Sequence, residues 1–333
     1  MAKIVTFGEM MLRLSPPGHL RIIQTDRFLT AFGGAEANTA ISLSLLGHKT
    51  VFVTKLPSHV LGDAGIQYLR KYGVSTEWII RGGDRLGIYY IEEGVSLRPG
   101  RVIYDRGHSS FTTIDKRELD WEGIFEGADL IHLTGITLAV GEKPREVAFD
   151  AMKEAKKRGI HVSFDFNYRS KLWSVDEASK AYREILPYVD LCFAGVQDAV
   201  HFLGYKAPEK VEDEGSYQEL FTRMMSDYEI RTIAFTHRTV HSSSDHSLSA
   251  FSITEEGRVY RSGTYRFQIV DRVGGGDAFA AGYIHGWLDS TITEEERLQF
   301  AVKASVMNHT IVGDANLATV EEIEQLGLHD VKR

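Results

Sequence analysis

The stretch Ile269-Val270-Asp271-Arg272-Val273-Gly274-Gly275-Gly276-Asp277-Ala278-Phe279-Ala280-Ala281-Gly282 leads from a strand-like segment through three consecutive glycines into a helix of small residues. Glycines let the backbone turn sharply and let a ligand approach main-chain N–H groups. The start of a helix presents unpaired N–H groups and the positive end of the helix dipole at the same place. The pattern therefore predicts an anion hole suited to phosphate at Gly274, Gly275 and Gly276.

Asp277 closes the glycine run, at the mouth of the predicted anion hole. A carboxylate at this position repels a bound phosphate, so phosphate binding alone does not explain it. The chemistry suits a general base that removes a proton from an attacking hydroxyl group. An aspartate that caps the helix after a glycine-rich turn is the alternative interpretation. The sequence has no Gly-x-x-x-x-Gly-Lys-Ser/Thr loop and no dinucleotide fingerprint at Gly8-Glu9-Met10-Met11, which weakens the P-loop and Rossmann alternatives.

The composition is that of an acidic globular protein. The 333 residues are 43% hydrophobic, and 38 lysines and arginines against 46 aspartates and glutamates give a formal charge of −8. Such a chain is a poor candidate for binding nucleic acid or an anionic membrane, so an anionic ligand must meet a few local cations. The single cysteine, Cys192, excludes an intrachain disulfide and fits a reducing compartment. Without a signal-peptide layout or an apolar run of transmembrane length, the sequence favours a cytoplasmic protein.

Strand-like and helix-like segments alternate along most of the chain. The predicted strands are Ile4–Gly8, Thr50–Lys55, Asp129–Thr134, His161–Phe166, Leu191–Ala194 and Thr232–Thr236. The predicted helices are Ala37–Leu46, Asp63–Tyr72, Pro144–Arg158, Asp176–Leu186, Gln218–Asp227, Gly275–Leu288 and Glu294–Ile311. Alternation at this spacing favours an α/β fold with a mostly parallel sheet, whose ligands lie beyond the carboxyl ends of the strands. We expect residues 1–333 to form one domain.

Two regions interrupt the alternation. Residues 12–29 and 87–110 are rich in β-type sequence, with turns at Pro16-Pro17-Gly18 and Pro99-Gly100. We expect them to pair as a small separate sheet that serves as a lid over a site, and two surface hairpins are the alternative. Two further stretches, Glu214–Tyr217 and His241–His246, are predicted to be polar loops.

The glycine run resembles the C-terminal signature of the ribokinase-like (PfkB) carbohydrate kinases, commonly Asp-Thr-x-Gly-Ala-Gly-Asp. The segment Phe32-Gly33-Gly34-Ala35-Glu36-Ala37-Asn38-Thr39-Ala40 is similar to the N-terminal signature of the same family. The two signatures lie near opposite ends of the chain, in the order that the family has. The resemblance implies a three-layer α/β/α sandwich with a mostly parallel central sheet and a small β-sheet lid. It also implies ATP at the glycine run and a sugar between the core and the lid.

Five segments resemble one branch of the family, the 2-dehydro-3-deoxygluconokinases (KDG kinases): Gly8-Glu9-Met10, Tyr104-Asp105-Arg106, Asp165-Phe166-Asn167-Tyr168-Arg169-Ser170-Lys171-Leu172-Trp173, His309-Thr310-Ile311 and Gly313-Asp314-Ala315-Asn316. This implies ATP-dependent phosphorylation of the terminal hydroxyl of a sugar acid, 2-dehydro-3-deoxy-D-gluconate, to its 6-phosphate. Arg106 and Arg169 are the candidate partners of the acid, because arginine offers a planar fork that matches a carboxylate. A neutral-sugar kinase of the fructokinase or ribokinase type and a catalytically weakened sugar-acid sensor are the alternatives.

The resemblance also assigns roles to individual residues. The substrate is expected to contact Gly33, Gly34, Asn38, Tyr89, Tyr104, Arg106, Arg169 and Asp277. The catalytic residues are expected to be Asp277 as base, Gly274, Gly275 and Gly276 around the phosphate, and Arg169 beside the transferred group. The nucleotide is expected to border Asn167, Thr236, Arg238, His241, Gly274, Gly276 and Asn308. The family also implies Mg²⁺ and a homo-oligomer formed through the lid, and it leaves a monovalent cation open.

Three departures from the family pattern bear on the chemistry. Arg272 stands at the usual Thr and Gly275 at the usual Ala, and both changes are expected to be tolerated. Gly195 and Asp198 stand where the family has the Asn and Glu of an Asn-x-x-Glu motif that helps to place Mg²⁺ and phosphate. Asp198 keeps a carboxylate for an indirect contact with the metal, but the missing Asn amide removes one donor and one acceptor. We expect this departure to affect the catalytic rate and the metal geometry, not the fold.

Overall fold

The computed structural model describes residues 1–207 and 214–327. The strands are β1 (Lys3–Phe7), β2 (Met11–Ser15), β3 (Leu29–Gly33), β4 (Lys49–Leu56), β5 (Ile79–Arg81), β6 (Gly87–Glu92), β7 (Arg101–Asp105), β8 (Leu130–Thr134), β9 (His161–Asp165), β10 (Leu191–Phe193), β11 (Thr232–Ser242), β12 (Asp245–Thr254), β13 (Val259–Arg261) and β14 (Tyr265–Gln268). The helices are α1 (Ala35–Leu45), α2 (Val60–Lys71), α3 (Trp121–Phe125), α4 (Gly135–Ala139), α5 (Glu142–Lys157), α6 (Val175–Ile185), α7 (Val196–Leu203), α8 (Glu214–Tyr228), α9 (Gly275–Trp287), α10 (Glu294–Asn308) and α11 (Val320–Glu324).

The larger sheet has the strand order β13-β12-β11-β10-β9-β8-β1-β4-β5, and β14 also pairs with β12. Neighbouring strands from β11 to β5 are parallel. At the other end, β12 runs antiparallel to β11, β13 and β14. The predicted mostly parallel sheet is confirmed. The strands of its antiparallel edge, β12, β13 and β14, were not predicted from the sequence.

Helices cover both faces of the parallel strands, as their sequences require. Strands such as β8 are buried at every position, so neither face can be left to water. On one face, Phe164 belongs to a core cluster with Met152 of α5. On the other face, Leu191 belongs to a cluster with Phe279 of α9 and Leu298 of α10. The expected three-layer ribokinase-like α/β/α arrangement is therefore confirmed.

The strand order reverses at β1, because the chain continues to β4 and β5 on one side and to β8 and β9 on the other. In sheets of this kind a crevice opens beyond the carboxyl ends of the strands at such a point. Glu36, in the first turn of α1, is buried there and accepts hydrogen bonds from the Thr134 amide at 3.0 Å and from the Thr137 hydroxyl at 2.7 Å. This carboxylate ties the start of α1 to the end of β8 and so fixes one wall of the crevice.

The second sheet has the order β3-β2-β6-β7 and forms the lid. Strand β2 pairs with β3 and also with β6, so the two predicted β regions join in one sheet. The lid prediction is confirmed and the alternative of two separate hairpins is wrong. Arg13, Tyr89 and Tyr104 are register partners on β2, β6 and β7, and they form a row across the lid.

Both predicted polar loops need correction. Glu214–Tyr217 is the first turn of α8. The ring of Tyr217 packs against Phe235 with centroids 5.6 Å apart, which extends the helix–sheet contact into this turn. His241–His246 is the tip of a hairpin, because β11 continues to Ser242 and β12 begins at Asp245. Antiparallel pairing satisfies the backbone of polar and apolar residues alike, so polarity alone was a poor guide to its structure.

Across the part of the chain that is described, every helix is too short or too polar to span a bilayer.

Candidate active site

Each of the three glycines at the start of α9 lacks a side chain for a different reason. Gly274 has a φ of +80°, and a Cβ there would lie 1.6 Å from the carbonyl oxygen of Asp314. A Cβ on Gly275 would lie 2.2 Å from Cε1 of His309, whereas a Cβ on Gly276 would meet no atom within 4 Å. Gly274 therefore shapes the turn, Gly275 makes room for an imidazole, and Gly276 leaves open the space in front of the helix N–H groups. An anion can approach the helix through that space.

Asp277 lies in the first turn of α9, and the N-cap position belongs to Gly274. The Asp277 Oδ2 atom accepts a hydrogen bond of 2.8 Å from Nδ2 of Asn38, which is on α1. The interpretation of Asp277 as a helix cap is therefore wrong. Asn38, which is expected to contact the substrate, also holds the candidate base in place.

The charge state of Asp277 is balanced near neutrality. Burial raises the pKa of this carboxyl to about 7, and the nearby charges of Glu36 and Asp314 add to the rise. The hydrogen bond from Asn38 and the charge of Arg169 lower the pKa and so oppose the rise. A base is most effective when its pKa lies near the working pH. The sequence identified Asp277 and Asn38, but the contribution of Glu36 depends on packing that local patterns do not encode.

Arg106, expected to meet the carboxylate of a sugar acid, already has an acidic partner. Its Nε atom donates to Oε2 of Glu9 at 2.9 Å, and Nη2 contacts the same oxygen. Glu9 is buried and accepts a further hydrogen bond of 2.5 Å from the Ser109 hydroxyl. The sequence analysis treated Glu9 only as part of a branch motif and missed this pairing. Part of the Arg106 charge is therefore neutralised within the protein.

Tyr89 and Tyr104 are neighbours on the lid with different surroundings. Tyr89 is 4% exposed and its hydroxyl donates to the Asp314 carboxylate. Tyr104 is 40% exposed, and its ring centroid lies 6.1 Å from that of Tyr89. Tyr104 can therefore face a ligand directly, while the hydroxyl of Tyr89 is directed to Asp314. Gly33 lies against this pair, because a Cβ there would be 2.6 Å from the Tyr89 hydroxyl.

A cavity of about 740 Å³ opens between the lid and the loop after β9. Its lining residues are Val102, Ile103, Tyr104, Arg106, Gly107, Tyr168, Arg169, Ser170, Lys171 and Leu172. Three of them are cations, and none is a carboxylate. Arg169 is exposed, and its Nη1 donates to the carbonyl oxygen of Tyr168 at 3.2 Å. Lys171, also exposed, adds a positive charge that the sequence analysis did not assign.

Arg238, one of the residues expected at the nucleotide, is held by two imidazoles. Its Nη1 lies 3.0 Å from Nδ1 of His246, and its Nη2 lies 3.1 Å from Nε2 of His309. Burial and the nearby Arg272 lower the pKa of Arg238 to about 10, so the guanidinium is still charged at neutral pH. The imidazole of His309 also lies against Gly275, so this one ring contacts both Arg238 and the glycine turn.

The other predicted nucleotide residues lie around the same turn or on the hairpin. Asn308 donates from Nδ2 to the carbonyl oxygen of Val273 at 2.8 Å, and its buried Oδ1 has no hydrogen-bond partner within the described residues. Thr236 is exposed on β11. His241, near the hairpin tip, has Nε2 2.8 Å from the Ser247 hydroxyl.

Asn167 and two acids complete the floor of the site. Asn167 has a φ of +36°, and its amide donates to Oδ1 of Asp165 at 2.9 Å. Burial raises the pKa of Asp165 to about 8, and the charges of Asp277 and Asp198 contribute. Burial also raises the pKa of Asp198 to about 6, against a hydrogen bond from the Gly195 amide.

Asp165 and Asp198 fit a divalent cation, because a positive charge between them would offset the burial that raises both pKa values. The described residues contain no group of three or more His, Cys, Asp or Glu side chains arranged to hold a metal by themselves. This fits Mg²⁺, which commonly binds through one or two carboxylates, water and substrate phosphates. Asp165 is a candidate that the sequence analysis did not name.

The mostly parallel sandwich, the lid sheet and the open helix start behind three glycines fit a phosphotransferase that acts on an alcohol. The comparison with known families gives this class a narrower identity. The model of the pfkB family carbohydrate kinases matches residues 1–319, and the chain belongs to this family of sugar kinases. Membership implies the use of ATP and Mg²⁺.

Three relatives illustrate the likeness. A crystal structure of 2-dehydro-3-deoxygluconokinase from Thermotoga maritima is 42% identical, with a TM-score of 0.94 over 98% of this chain and 99% of its own. A PfkB family carbohydrate kinase from Listeria grayi is 38% identical, with a TM-score of 0.91 over 96% of this chain and 98% of its own. A 2-dehydro-3-deoxygalactonokinase from Haloferax volcanii is 33% identical over 98% of this chain and 96% of its own length.

Alanine at the second and third glycines should separate stability from activity. Gly275→Ala should lower the free energy of unfolding by about 1–3 kcal/mol, because the new methyl group overlaps the His309 ring. Gly276→Ala should leave stability unchanged or higher, since alanine favours a helix by up to about 1 kcal/mol. It should nevertheless raise the KM for ATP, because the methyl group enters the space in front of the N–H groups. Thermal unfolding and initial rates measure the two effects, and equal melting temperatures for both variants would contradict the assignment.

Proposed function

We propose that the chain phosphorylates the terminal hydroxyl of 2-dehydro-3-deoxy-D-gluconate, using ATP and Mg²⁺, to give the 6-phosphate. The observation that carries the proposal is the Asp277 carboxylate. It lies beside the open start of α9, is held by Asn38 at 2.8 Å, and has its pKa raised to about 7 by burial. We place the activity in the cytoplasm, where the buried thiol of Cys192 stays reduced.

In the proposed reaction the substrate hydroxyl gives its proton to Asp277 while its oxygen forms a bond to the γ-phosphorus of ATP. The bond from that phosphorus to the bridging oxygen breaks, and ADP leaves. The N–H groups at Gly275 and Gly276 stabilise the anion at the start of the helix, and Arg169 adds positive charge beside it. Asp277 keeps the proton until the product departs.

We propose that Asp165 and Asp198 hold Mg²⁺ through water. The ion supplies neutralisation of phosphate charge during transfer. Gly195 offers only its amide, which donates to Asp198 at 2.8 Å.

Rates in potassium chloride compared with tetramethylammonium chloride at equal ionic strength measure whether a monovalent cation also takes part.

The sugar-acid assignment is supported by the cavity beneath the lid. Arg106, Arg169 and Lys171 line it without an acidic residue among the lining side chains. Such a cavity favours an anionic substrate in a protein whose formal charge is −8. The names of two relatives, 2-dehydro-3-deoxygluconokinase and 2-dehydro-3-deoxygalactonokinase, refer to sugar acids that differ in configuration at one carbon. We favour 2-dehydro-3-deoxygluconate because the more similar of these two relatives is named for it.

Two alternatives each rest on one observation. The pairing of Arg106 with Glu9 favours a neutral sugar, because the arginine then needs no substrate carboxylate. Gly195, which lacks the amide side chain usual in the family, favours a protein that binds a sugar acid as a sensor and transfers phosphate slowly.

The pH dependence of turnover tests the base. Because only the ionised carboxylate of Asp277 accepts a proton, kcat/KM should fall as the pH drops below about 7 and level off above it. Asn38→Ala should move this fall to higher pH. The Asn38 hydrogen bond stabilises the ionised form of Asp277, so its removal raises the pKa of that carboxyl.

Asp277→Asn should lower kcat by at least about 10³-fold with ATP affinity within a few-fold of wild type. A near-normal rate in this variant would disprove the base assignment. An ADP-release assay of the wild-type enzyme with a panel of sugar acids separates the kinase from the sensor, because a sensor releases no ADP above background with any of them.

Substitution of the cavity arginine should identify the substrate class. Arg106→Met should lower kcat/KM for 2-dehydro-3-deoxygluconate and its C4 epimer by at least about tenfold, as expected when a charged hydrogen bond is lost. Because the same change removes the partner of the buried Glu9, the loss with fructose and ribose measures the structural effect, and the loss with the two acids should clearly exceed it. Arg101→Met is the matched control, because Arg101 is exposed on β7 outside the cavity lining. An equal loss for acids and neutral sugars would favour the neutral-sugar alternative.

We further propose that two chains associate through their lids. Large apolar side chains are exposed on this sheet and its loops: Ile23 at 81%, Leu29 at 51%, Leu97 at 89% and Ile103 at 54%. The strands β3 and β7 form the two edges of the lid, so their outer backbone groups are free to pair with another strand. Apolar exposure on an open sheet favours a second copy as the partner.

Leu29→Glu should shift the protein from dimer to monomer in analytical ultracentrifugation, because it places a charge on the exposed apolar edge. Val60→Glu is the control, since Val60 is 74% exposed on α2 outside the lid. A wild-type monomer at all concentrations, or equal effects of both substitutions, would contradict association through the lid.

A further inference from the structure

Arg13, in the lid strand β2, is a buried cation between two buried acids. Its Nη2 lies 2.6 Å from Oδ2 of Asp271 and its Nη1 lies 2.7 Å from Oδ1 of Asp314. Arg13, Asp271 and Asp314 are 2%, 1% and 2% exposed. Two further contacts involve the same guanidinium, since Nε donates to the Ser15 hydroxyl at 2.8 Å and Nη2 lies 3.4 Å from Glu93. The planar fork of arginine allows one side chain to bridge two carboxylates in this way.

Both acidic residues contact the glycine turn, Asp271 through its carboxylate and Asp314 through its backbone. Asp271 accepts the amide of Val273 at 3.2 Å on Oδ1 and the amide of Gly313 at 3.1 Å on Oδ2. The backbone oxygen of Asp314 lies against Gly274, where it leaves no room for a side chain. The two acids therefore fix the chain directly before and beside the residue whose left-handed conformation opens the helix.

The lid also connects Arg13 to the sugar cavity. Arg13 and Tyr89 are register partners on β2 and β6, and Tyr89 and Tyr104 are register partners on β6 and β7. Register partners on neighbouring strands point to the same face of a sheet. Tyr104 lines the cavity, and its neighbour Tyr89 donates a hydrogen bond from its hydroxyl to Asp314. Tyr89 and Arg13 therefore both contact the Asp314 carboxylate.

We propose that Arg13 is a positioning residue that couples sugar binding at the lid to the shape of the phosphate-binding turn. A sugar that packs on Tyr104 stabilises the row of lid residues in its present register. Through Tyr89 and Arg13 this holds Asp314 and Asp271, and with them the turn at Gly274. The two substrates therefore bind with positive cooperativity, and the coupling depends on the guanidinium fork. This inference rests on the proposed use of the glycine turn for ATP.

The affinity of a non-hydrolysable ATP analogue, measured by calorimetry with and without 2-dehydro-3-deoxygluconate, tests the coupling. The sugar acid should tighten analogue binding to the wild-type enzyme by at least about fivefold, a typical size for coupling between two sites. In Arg13→Met the two dissociation constants should be equal. Arg85→Met is the matched control, because Arg85 forms an exposed ion pair with Asp105 at the end of lid strand β7, and it should behave like wild type.

A purely structural role for Arg13 predicts a different result. A loosened fold would weaken analogue binding by the same factor in both conditions, so an unchanged ratio in Arg13→Met would overturn the proposal. If this variant does not fold, Arg13→Lys replaces it, because lysine keeps the charge but cannot bridge both acids. The ratio should then fall clearly below the wild-type value, and a wild-type ratio would overturn the proposal.

The same measurements separate this inference from the proposed substrate. If the wild-type enzyme turns over only a neutral sugar, the substrate proposal fails and the ratio is measured with that sugar instead. If it turns over no sugar, the kinase proposal fails and the ratio is measured with the sugar acid that binds. Absence of coupling in the wild-type enzyme with a ligand that it binds would refute the role of Arg13 in every case.

Discussion

The proposed active site depends on keeping a carboxylate beside a pocket for phosphate, although the two negative groups repel each other. Asp277 tolerates this position because its charge is balanced. Burial weakens the ionised form, and the amide of Asn38 and the charge of Arg169 restore part of it. The open helix start supplies positive potential for the phosphate. With its pKa raised to about 7, the proposed base can accept a proton near neutral pH without carrying an uncompensated charge at all times.

The same constraint explains why the surrounding backbone is held by buried ions. A helix start binds an anion at lower cost when its N–H groups are fixed before the anion arrives. Asp271 and Asp314 fix the turn, and Arg13 prevents their charges from being buried unpaired. Buried ion pairs contribute little net stability, since the cost of removing charges from water offsets their attraction. Here their contribution is geometric, because they determine where the turn lies relative to the lid.

The sequence predicted the parts of the molecule that depend on local backbone chemistry. The glycine run indicated the helix start, the two signatures indicated the order of the fold, and the β-rich segments indicated the lid. Side-chain pairings between distant segments could not be predicted. Glu9 meets Arg106 across 97 positions, and Tyr89 meets Asp314 across 225. Polarity also failed at His241–His246, because a hairpin satisfies its backbone without regard to side-chain type. Such contacts arise only when the lid and the core come together.

The contact between Gly275 and His309 makes the residues that fit at these two positions depend on each other. A methyl group at position 275 and an imidazole at position 309 exclude each other, because the atoms would be 2.2 Å apart. With His309 in its present place, alanine at position 275 requires the imidazole ring to move, and movement of this ring also disturbs its contact with Arg238.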